Sequence, residues 1–322
     1  MSKYDHLIID MDNCYWRMVA GTSIDKINSP DIVSIGVHEV LKKLNAFEYQ
    51  YLNNKGLIWL LFDNPSSVTR LRSDIDPEYK SHRDSMNENM KAGLNYLIET
   101  LKVYKDNFRV VFVDKLEADD LVKPLIEHIN KVYSEDNKNN ILLISNDMDW
   151  SKSITDKINW YNWKNLYTNE VFKNEYGFYP QGNSVQLFKA LTGDKSDCIP
   201  NPFYNLKASV NWRFPKEYLN NILMNCTDIN DFFDKLYSGK LDIEAKWIER
   251  LKTVEARIRL NYQLVDFYVL EDFDIKDVIV ECKYSKAKLK FYFDTFKLDY
   301  EPRMIDVNKP EEFLTWAKYH RV

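Results

Sequence analysis

Leu57-Ile58-Trp59-Leu60-Leu61-Phe62-Asp63 is an unbroken apolar run that ends on an acid, and the pattern recurs along the first part of the chain. Leu7-Ile8-Ile9 leads into Asp10. Val110-Val111-Phe112-Val113 is followed by Glu117, Asp119 and Asp120, and Ile141-Leu142-Leu143-Ile144 runs through Ser145-Asn146 into Asp147 and Asp149. Short continuous apolar runs of this kind read as strands buried on both faces, as in a parallel sheet. Between them, Leu121, Val122, Leu125, Ile126, Ile129 and Val132 recur at helical spacing, and residues 32–47 and 89–104 follow a similar pattern. The alternation predicts a doubly wound α/β domain whose ligand site lies beyond the carboxyl ends of the strands. Four strands would then deliver carboxylates to one edge.

A single Asp after a strand is ordinarily a turn residue or a helix cap. Capping does not require four such ends to converge. A fifth acidic element follows, where a helical stretch around Val185–Leu191 closes on Thr192-Gly193-Asp194-Lys195-Ser196-Asp197. The candidate ligand set is Asp10, Asp63, Glu117, Asp119, Asp120, Asp147, Asp149, Asp194 and Asp197. Carboxylates in such number repel one another unless cations neutralise them, and hard oxygen ligands select Mg²⁺ or Mn²⁺ over zinc. Two such ions suit in-line attack on a phosphodiester. Asp12, two residues after Asp10, reads as a turn or cap residue with water-mediated metal contact as the alternative.

Composition narrows the class. The 322 residues are 45% hydrophobic and 29% charged, enough to bury a core and to exclude disorder, and the length suggests about two domains. No apolar run approaches the roughly 20 residues that span a bilayer, so no membrane partner is expected. Cys14, Cys198, Cys226 and Cys282 are scattered without metal spacing, which points to buried thiols in a reducing, cytoplasmic setting. Eight glycines and the lack of a GxGxxG or GxxxxGK[ST] run exclude a Gly-rich nucleotide loop. The net charge of −5 argues against a nonspecific nucleic-acid binder. Acids gathered around metal ions can nevertheless hide basic patches elsewhere.

Five blocks together resemble the 5′-nuclease superfamily of flap endonucleases and the 5′→3′ exonuclease domains of bacterial DNA polymerase I. They are Leu7-Ile8-Ile9-Asp10; Phe62-Asp63 with Arg70, Arg72 and Tyr79-Lys80-Ser81-His82-Arg83; Leu116-Glu117-Ala118-Asp119-Asp120; Ser145-Asn146-Asp147-Met148-Asp149; and Leu191 through Pro200, similar to GDxxDNIPG. Arg257-Ile258-Arg259-Leu260-Asn261-Tyr262-Gln263-Leu264-Val265-Asp266 resembles the family's R-x-N-x-x-L-V-D helix. The resemblance implies a PIN-like catalytic domain over residues 1–184 with a mostly parallel central sheet. A helical arch would occupy about 64–109, and a helical DNA-binding region 185–322. It also implies that Lys80 and Arg83 stabilise the scissile phosphate, and that Arg70, Arg72, Tyr79 and Lys207 contact nucleic acid, Tyr79 by stacking on a base.

One block departs from the family. Where the family carries a Gly-rich helix-hairpin-helix, this chain reads Asn201-Pro202-Phe203-Tyr204-Asn205-Leu206-Lys207-Ala208. An amide nest needs residues that tolerate positive φ, so a degenerate hairpin without K⁺ is expected. In this the chain resembles the ribonuclease H branch found in T-even phages. The expectations are two Mg²⁺ or Mn²⁺ ions, substrates of DNA and RNA–DNA hybrid bearing a 5′ flap or end, and a monomer in the host cytoplasm. A single-strand-binding protein, clamp or polymerase would work beside it. Two alternatives stay open: an inactive DNA-binding protein of the same fold, and a haloacid-dehalogenase phosphatase using Asp10-Met11-Asp12. A PIN-type single-strand ribonuclease lacks the YKxxR and GDxxD blocks.

Overall fold

The computed structural model describes residues 4–20, 31–63, 71–81, 88–133, 139–180, 182–205, 210–211, 213–268 and 273–295. Its centre is a seven-stranded sheet in the order β6-β5-β4-β1-β2-β3-β9. The strands are β1 (Tyr4–Asp10), β2 (Leu52–Leu61), β3 (Phe108–Val111), β4 (Ile141–Ile144), β5 (Ile158–Tyr161), β6 (Leu166–Tyr167) and β9 (Ile279–Glu281). Strands β1 to β5 run parallel, and β6 and β9 close the two edges antiparallel.

Side-chain alternation distributes the apolar runs between two cores. Ile8, Trp59, Leu61, Ile141 and Leu143 pack on one face, and Leu7, Ile9, Ile58, Leu60, Leu142 and Ile144 on the other. The second face is covered by α1 (Met11–Val19), α2 (Asp31–Tyr51) and α4 (Glu88–Leu101), and the first by α5 (Ala118–Val132). The short α3 (Leu71–Ile75) and α6 (Asn169–Tyr176) complete this half. The chain proceeds from β1 outward to β3, then returns to the far side of β1 for β4. The switch point therefore lies between β1 and β4, where Asp10 and Asp147 emerge.

The remaining helices are α7 (Ser184–Thr192), α8 (Lys216–Asn225), α9 (Ile229–Tyr237), α10 (Ala245–Thr253), α11 (Glu255–Val265) and α12 (Lys286–Thr295). Phe232, Phe233, Trp247 and Ile258 join the same core as Leu121 and Leu125, so one continuous core crosses the expected boundary at residue 184. Strand β9 returns to pair with β3, placing part of the C-terminal half within the sheet. Within residues 64–109, where an arch was expected, α4 packs against α2 as a layer of the sandwich, and β3 begins at Phe108. Its apolar face, carrying Met90, Leu94, Leu97 and Leu101, enters the core.

Between α7 and α8, where a degenerate helix-hairpin-helix was expected, the described residues form a two-stranded antiparallel pair, β7 (Tyr204–Asn205) and β8 (Val210–Asn211). Phe203 and Phe214, at the ends of this pair, stack at 5.5 Å and 8° and rest edge-on against Trp247. Three of the four cysteines are buried as expected; Cys198 is half-buried and adopts φ +58°. Among the described residues no helix is long and apolar enough to cross a membrane.

Candidate metal centre

Each acid lies where a strand or helix ends and a helix or turn begins. Asp10 closes β1 and caps α1: one oxygen accepts the Asn13 amide at 3.0 Å, the other the Ser145 hydroxyl at 2.8 Å. Asp63, just past β2, accepts the Ala118 amide at the start of α5 at 2.9 Å. Its own amide donates to Asp12 at 2.9 Å, so Asp12 serves as a tie between two strand ends. Asp147 caps the 3₁₀ turn Met148–Ser153 through the Asp149 amide at 2.9 Å. Asp194 caps the 3₁₀ turn Lys195–Asp197 through the Ser196 amide at 2.8 Å.

Asp119, Asp147 and Asp149 each offer a carboxylate oxygen, the three lying within 4.8 Å of one another. This trio draws one member from the α5 block and two from the β4 block. The donors are all carboxylate oxygens, with no imidazole or thiol, which fits a hard divalent cation.

Electrostatics separate the acids. Burial pushes the Asp10 carboxyl up to about 7, with Asp63 and Asp147 adding repulsion. Burial also lifts Asp119 well above the usual carboxylate range, and Asp147 adds to it. Burial raises Asp197 to about 6, against the opposing pull of Lys80. Burial acts on Asp147 in the same upward sense, but the Lys189 ammonium overrides it and holds that carboxyl low. Lys189 is the residue the sequence reading missed. Its Nζ lies 3.2, 2.8 and 2.8 Å from Asp147, Asp149 and Asp194. The available signal was its position on α7, where Val185, Gln186, Ala190 and Leu191 are all buried and a lysine among them needs partners.

Two further acids pair with buried cations of the protein. Asp120 receives the Arg72 guanidinium in a bidentate pair at 2.6 and 3.1 Å and also accepts the amides of Glu117 and Tyr268. Glu117 pairs with Lys80 at 2.7 Å and Arg72 at 3.3 Å and accepts the Tyr79 hydroxyl at 3.2 Å. These contacts correct two nucleic-acid assignments, those of Arg72 and Tyr79. Arg72 is 4% exposed and spends its remaining donors on the carbonyls of Leu264 and Asp266, so it clamps α3 to the end of α11. Tyr79 is buried with Ile199, Leu264 and Val265, where no base can stack on it. Lys80 is itself 9% exposed, held at φ +52° between Glu117 and Asp197. Arg70, Arg83 and Lys207 lie outside the described residues.

The R-x-N-x-x-L-V-D helix also acquires a purpose. Asn261 is fully buried on α11 and donates to the carbonyls of Ala190 and Pro200 at 3.2 and 2.9 Å, fastening α7 and the turn that carries Asp194 and Asp197.

Residues 5–177 match the family model described as 5′-3′ exonuclease, N-terminal resolvase-like domain. The chain belongs to the 5′-3′ exonuclease family. A 5′-3′ exonuclease of Buchnera aphidicola subsp. Acyrthosiphon pisum is 28% identical over 265 residues, covering 81% of this chain and 86% of that protein. The flap endonuclease of Escherichia phage T5 is 27% identical over 221 residues, 64% of this chain and 68% of that one. A structure of the T5 flap endonuclease with DNA and metal ions shares the fold at TM-score 0.57 and 21% identity, over 81% of this chain and 89% of that chain. A T5 5′-exonuclease structure with bound zinc is similar at TM-score 0.55 and 20% identity, over 90% and 97%.

In this exonuclease the carboxylates must shed protons to hold a cation. At pH 8, Mn²⁺ at a hundred times its Kd should stabilise the fold by about 2.7 kcal/mol, raising Tm by roughly 4 °C. The increment should shrink as pH falls from 8 to 6, because Asp10, displaced upward to about 7, then keeps its proton and competes with the ion. Thermal melts across that range check both points; a melt indifferent to Mn²⁺ at pH 8 would show that the trio holds no ion.

Proposed function

We propose that this protein is a metal-dependent 5′ nuclease that hydrolyses phosphodiesters in primed or 5′-flapped duplexes. The observation that carries the reading is the convergence of Asp10, Asp63, Asp119, Asp147 and Asp149 at the switch-point edge of a 5′-3′ exonuclease sheet. Asp119, Asp147 and Asp149 hold one Mg²⁺ or Mn²⁺, and Asp10, Asp63, Asp194 and Asp197 complete the binding of a second directly or through water. Held there, such ions would supply water activation and charge neutralisation at the reacting phosphate. Lys80, with Arg83, orients the scissile phosphate and stabilises the charge that grows on it. The products carry 5′-phosphate and 3′-hydroxyl ends.

DNA binding is supported by the relatives, since the similar T5 flap endonuclease was solved with DNA. RNA–DNA hybrid as a substrate, primer removal in phage-type replication, and action beside a polymerase, clamp or single-strand-binding protein extend the same reading. So does a cytoplasmic monomer. The phosphatase alternative would leave the Asp119–Asp149 trio without a role.

The test is cleavage of a 5′-labelled flap duplex and an RNA-primed duplex with Mg²⁺ and with EDTA. Mg²⁺-dependent products are expected, their lengths separating exonuclease from flap cutting. Tight flap binding without cleavage would favour the inactive DNA-binding alternative. In the same assay Lys80→Ala should lower kcat by about 10²–10³-fold while changing flap affinity less than about threefold, as for a group that acts mainly in the transition state. Equal losses in both would reassign Lys80 to ground-state phosphate binding.

A further inference from the structure

Trp163 lies in the turn between β5 and β6 with φ +70°, a left-handed conformation that a bulky residue adopts only when its surroundings over-determine it. The turn supports the strain locally: the Asn162 carbonyl oxygen of the side chain accepts the amides of Lys164 and Asn165 at 3.2 and 2.9 Å. The indole packs against α1 and α2. There the ring lies 5.4 Å from Phe47 and is flanked by the Arg17 guanidinium at 5.3 Å and the Lys43 ammonium at 5.8 Å.

The indole N–H donates to Asn13 Oδ1 at 2.8 Å, and the same oxygen accepts the Asn146 amide at 3.2 Å. Asn146 is the residue between Ser145 and Asp147. Asn13 in turn donates its backbone amide to Asp10 at 3.0 Å. On the other side of the loop, Ser145 donates its hydroxyl to Asp10, accepts the Asp147 amide at 3.0 Å, and offers its carbonyl to the Trp160 indole at 2.8 Å. Two indoles from one hairpin thus grip the three-residue segment that delivers Asp147, and Asn13 joins that grip to Asp10.

We infer that Trp163, acting through Asn13, is a positioning residue that presets the Asp10 and Asp147 carboxylates for the divalent cation. The inference rests on the metal-centre reading above. Ring packing alone does not account for the arrangement: Phe47, Arg17 and Lys43 supply apolar and cation–π contact to any aromatic ring, whereas the left-handed backbone and the shared acceptor specifically serve the indole N–H. Groups that orient metal ligands in this way typically affect metal affinity about 10–100-fold.

The experiment is a Mn²⁺ titration of Tm for the wild-type full chain, Trp163→Phe, Asn13→Leu and the double variant. Trp163→Phe keeps an aromatic ring and removes the donor; Asn13→Leu keeps the volume and removes the acceptor. Each single variant should raise the half-saturating Mn²⁺ about tenfold, and the double variant should be no worse than the weaker single one, because both remove the same link. A folded Trp163→Phe protein with the wild-type titration overturns the inference. Should Trp163→Phe fail to fold, Asn13→Leu decides: a right-shifted curve supports the link and an unshifted one overturns it. Absence of any Mn²⁺ response in the wild type is a different result, removing the metal-centre reading and this inference with it.

Discussion

Asp147→Ala should lower Mg²⁺-dependent cleavage by at least about 10³-fold, the equivalent of losing about 4 kcal/mol of metal-supplied transition-state stabilisation. Asp147 stands at the junction of the two clusters. One oxygen accepts the Asp149 amide and meets the Lys189 ammonium, and the carboxylate belongs to the Asp119–Asp149 trio. Removing it leaves Lys189 with Asp149 and Asp194, so the fold keeps that buried cation paired while the ion loses a ligand. The measurement is single-turnover cleavage of a labelled flap, alongside the Mn²⁺-dependent Tm shift. Loss of cleavage with loss of the thermal shift is the expected pair. Cleavage within tenfold of wild type would remove Asp147 from the chemistry.

Arg72→Ala should destabilise the protein by about 3–5 kcal/mol, because it strands a buried carboxylate. Asp120 is 2% exposed, and the guanidinium supplies both of its charge-assisted bonds as well as one to Glu117. The same substitution frees the carbonyls of Leu264 and Asp266 at the end of α11. In a chain of this size the corresponding fall in Tm is roughly 4–7 °C, readable by calorimetry at pH 7 without metal. The double variant Arg72→Met/Asp120→Leu, which removes both charges, should recover much of the loss. A fall of less than 2 °C for Arg72→Ala would return the residue to the exposed, nucleic-acid-facing role that its sequence position suggested.

The strands and the edge that carries the acids were legible because buried parallel strands leave continuous apolar runs and the acids follow them directly in sequence. Leu57–Phe62 and Ile141–Ile144 carry that signal almost undiluted. Partner choice was not legible. Asp119 and Asp120 are neighbours on one helix, separated by about 100° of rotation, so one faces the trio and the other faces Arg72. Sequence assigns the pair a common role; only the packing of α3 against α5 and α11 divides it. Lys189 was hidden for a related reason, since a lysine on a helix is read as solvated unless its neighbours reveal that the face is buried. The β7–β8 pair was missed because a two-residue strand leaves no periodicity to count, and the absence of glycine showed only what the segment is not.

Strand β9 gives the molecule an order in time. Every proposed metal ligand lies between Asp10 and Asp197, but β3 gains its outer neighbour only from Ile279–Glu281. During synthesis the complete set of acids therefore leaves the ribosome well before the sheet that aligns them can be closed, and until then β3 presents an open row of amides and carbonyls. Local strand order is written early and the last pairing is long-range, the kind of contact that folds slowly. The nuclease edge is encoded first and made rigid last.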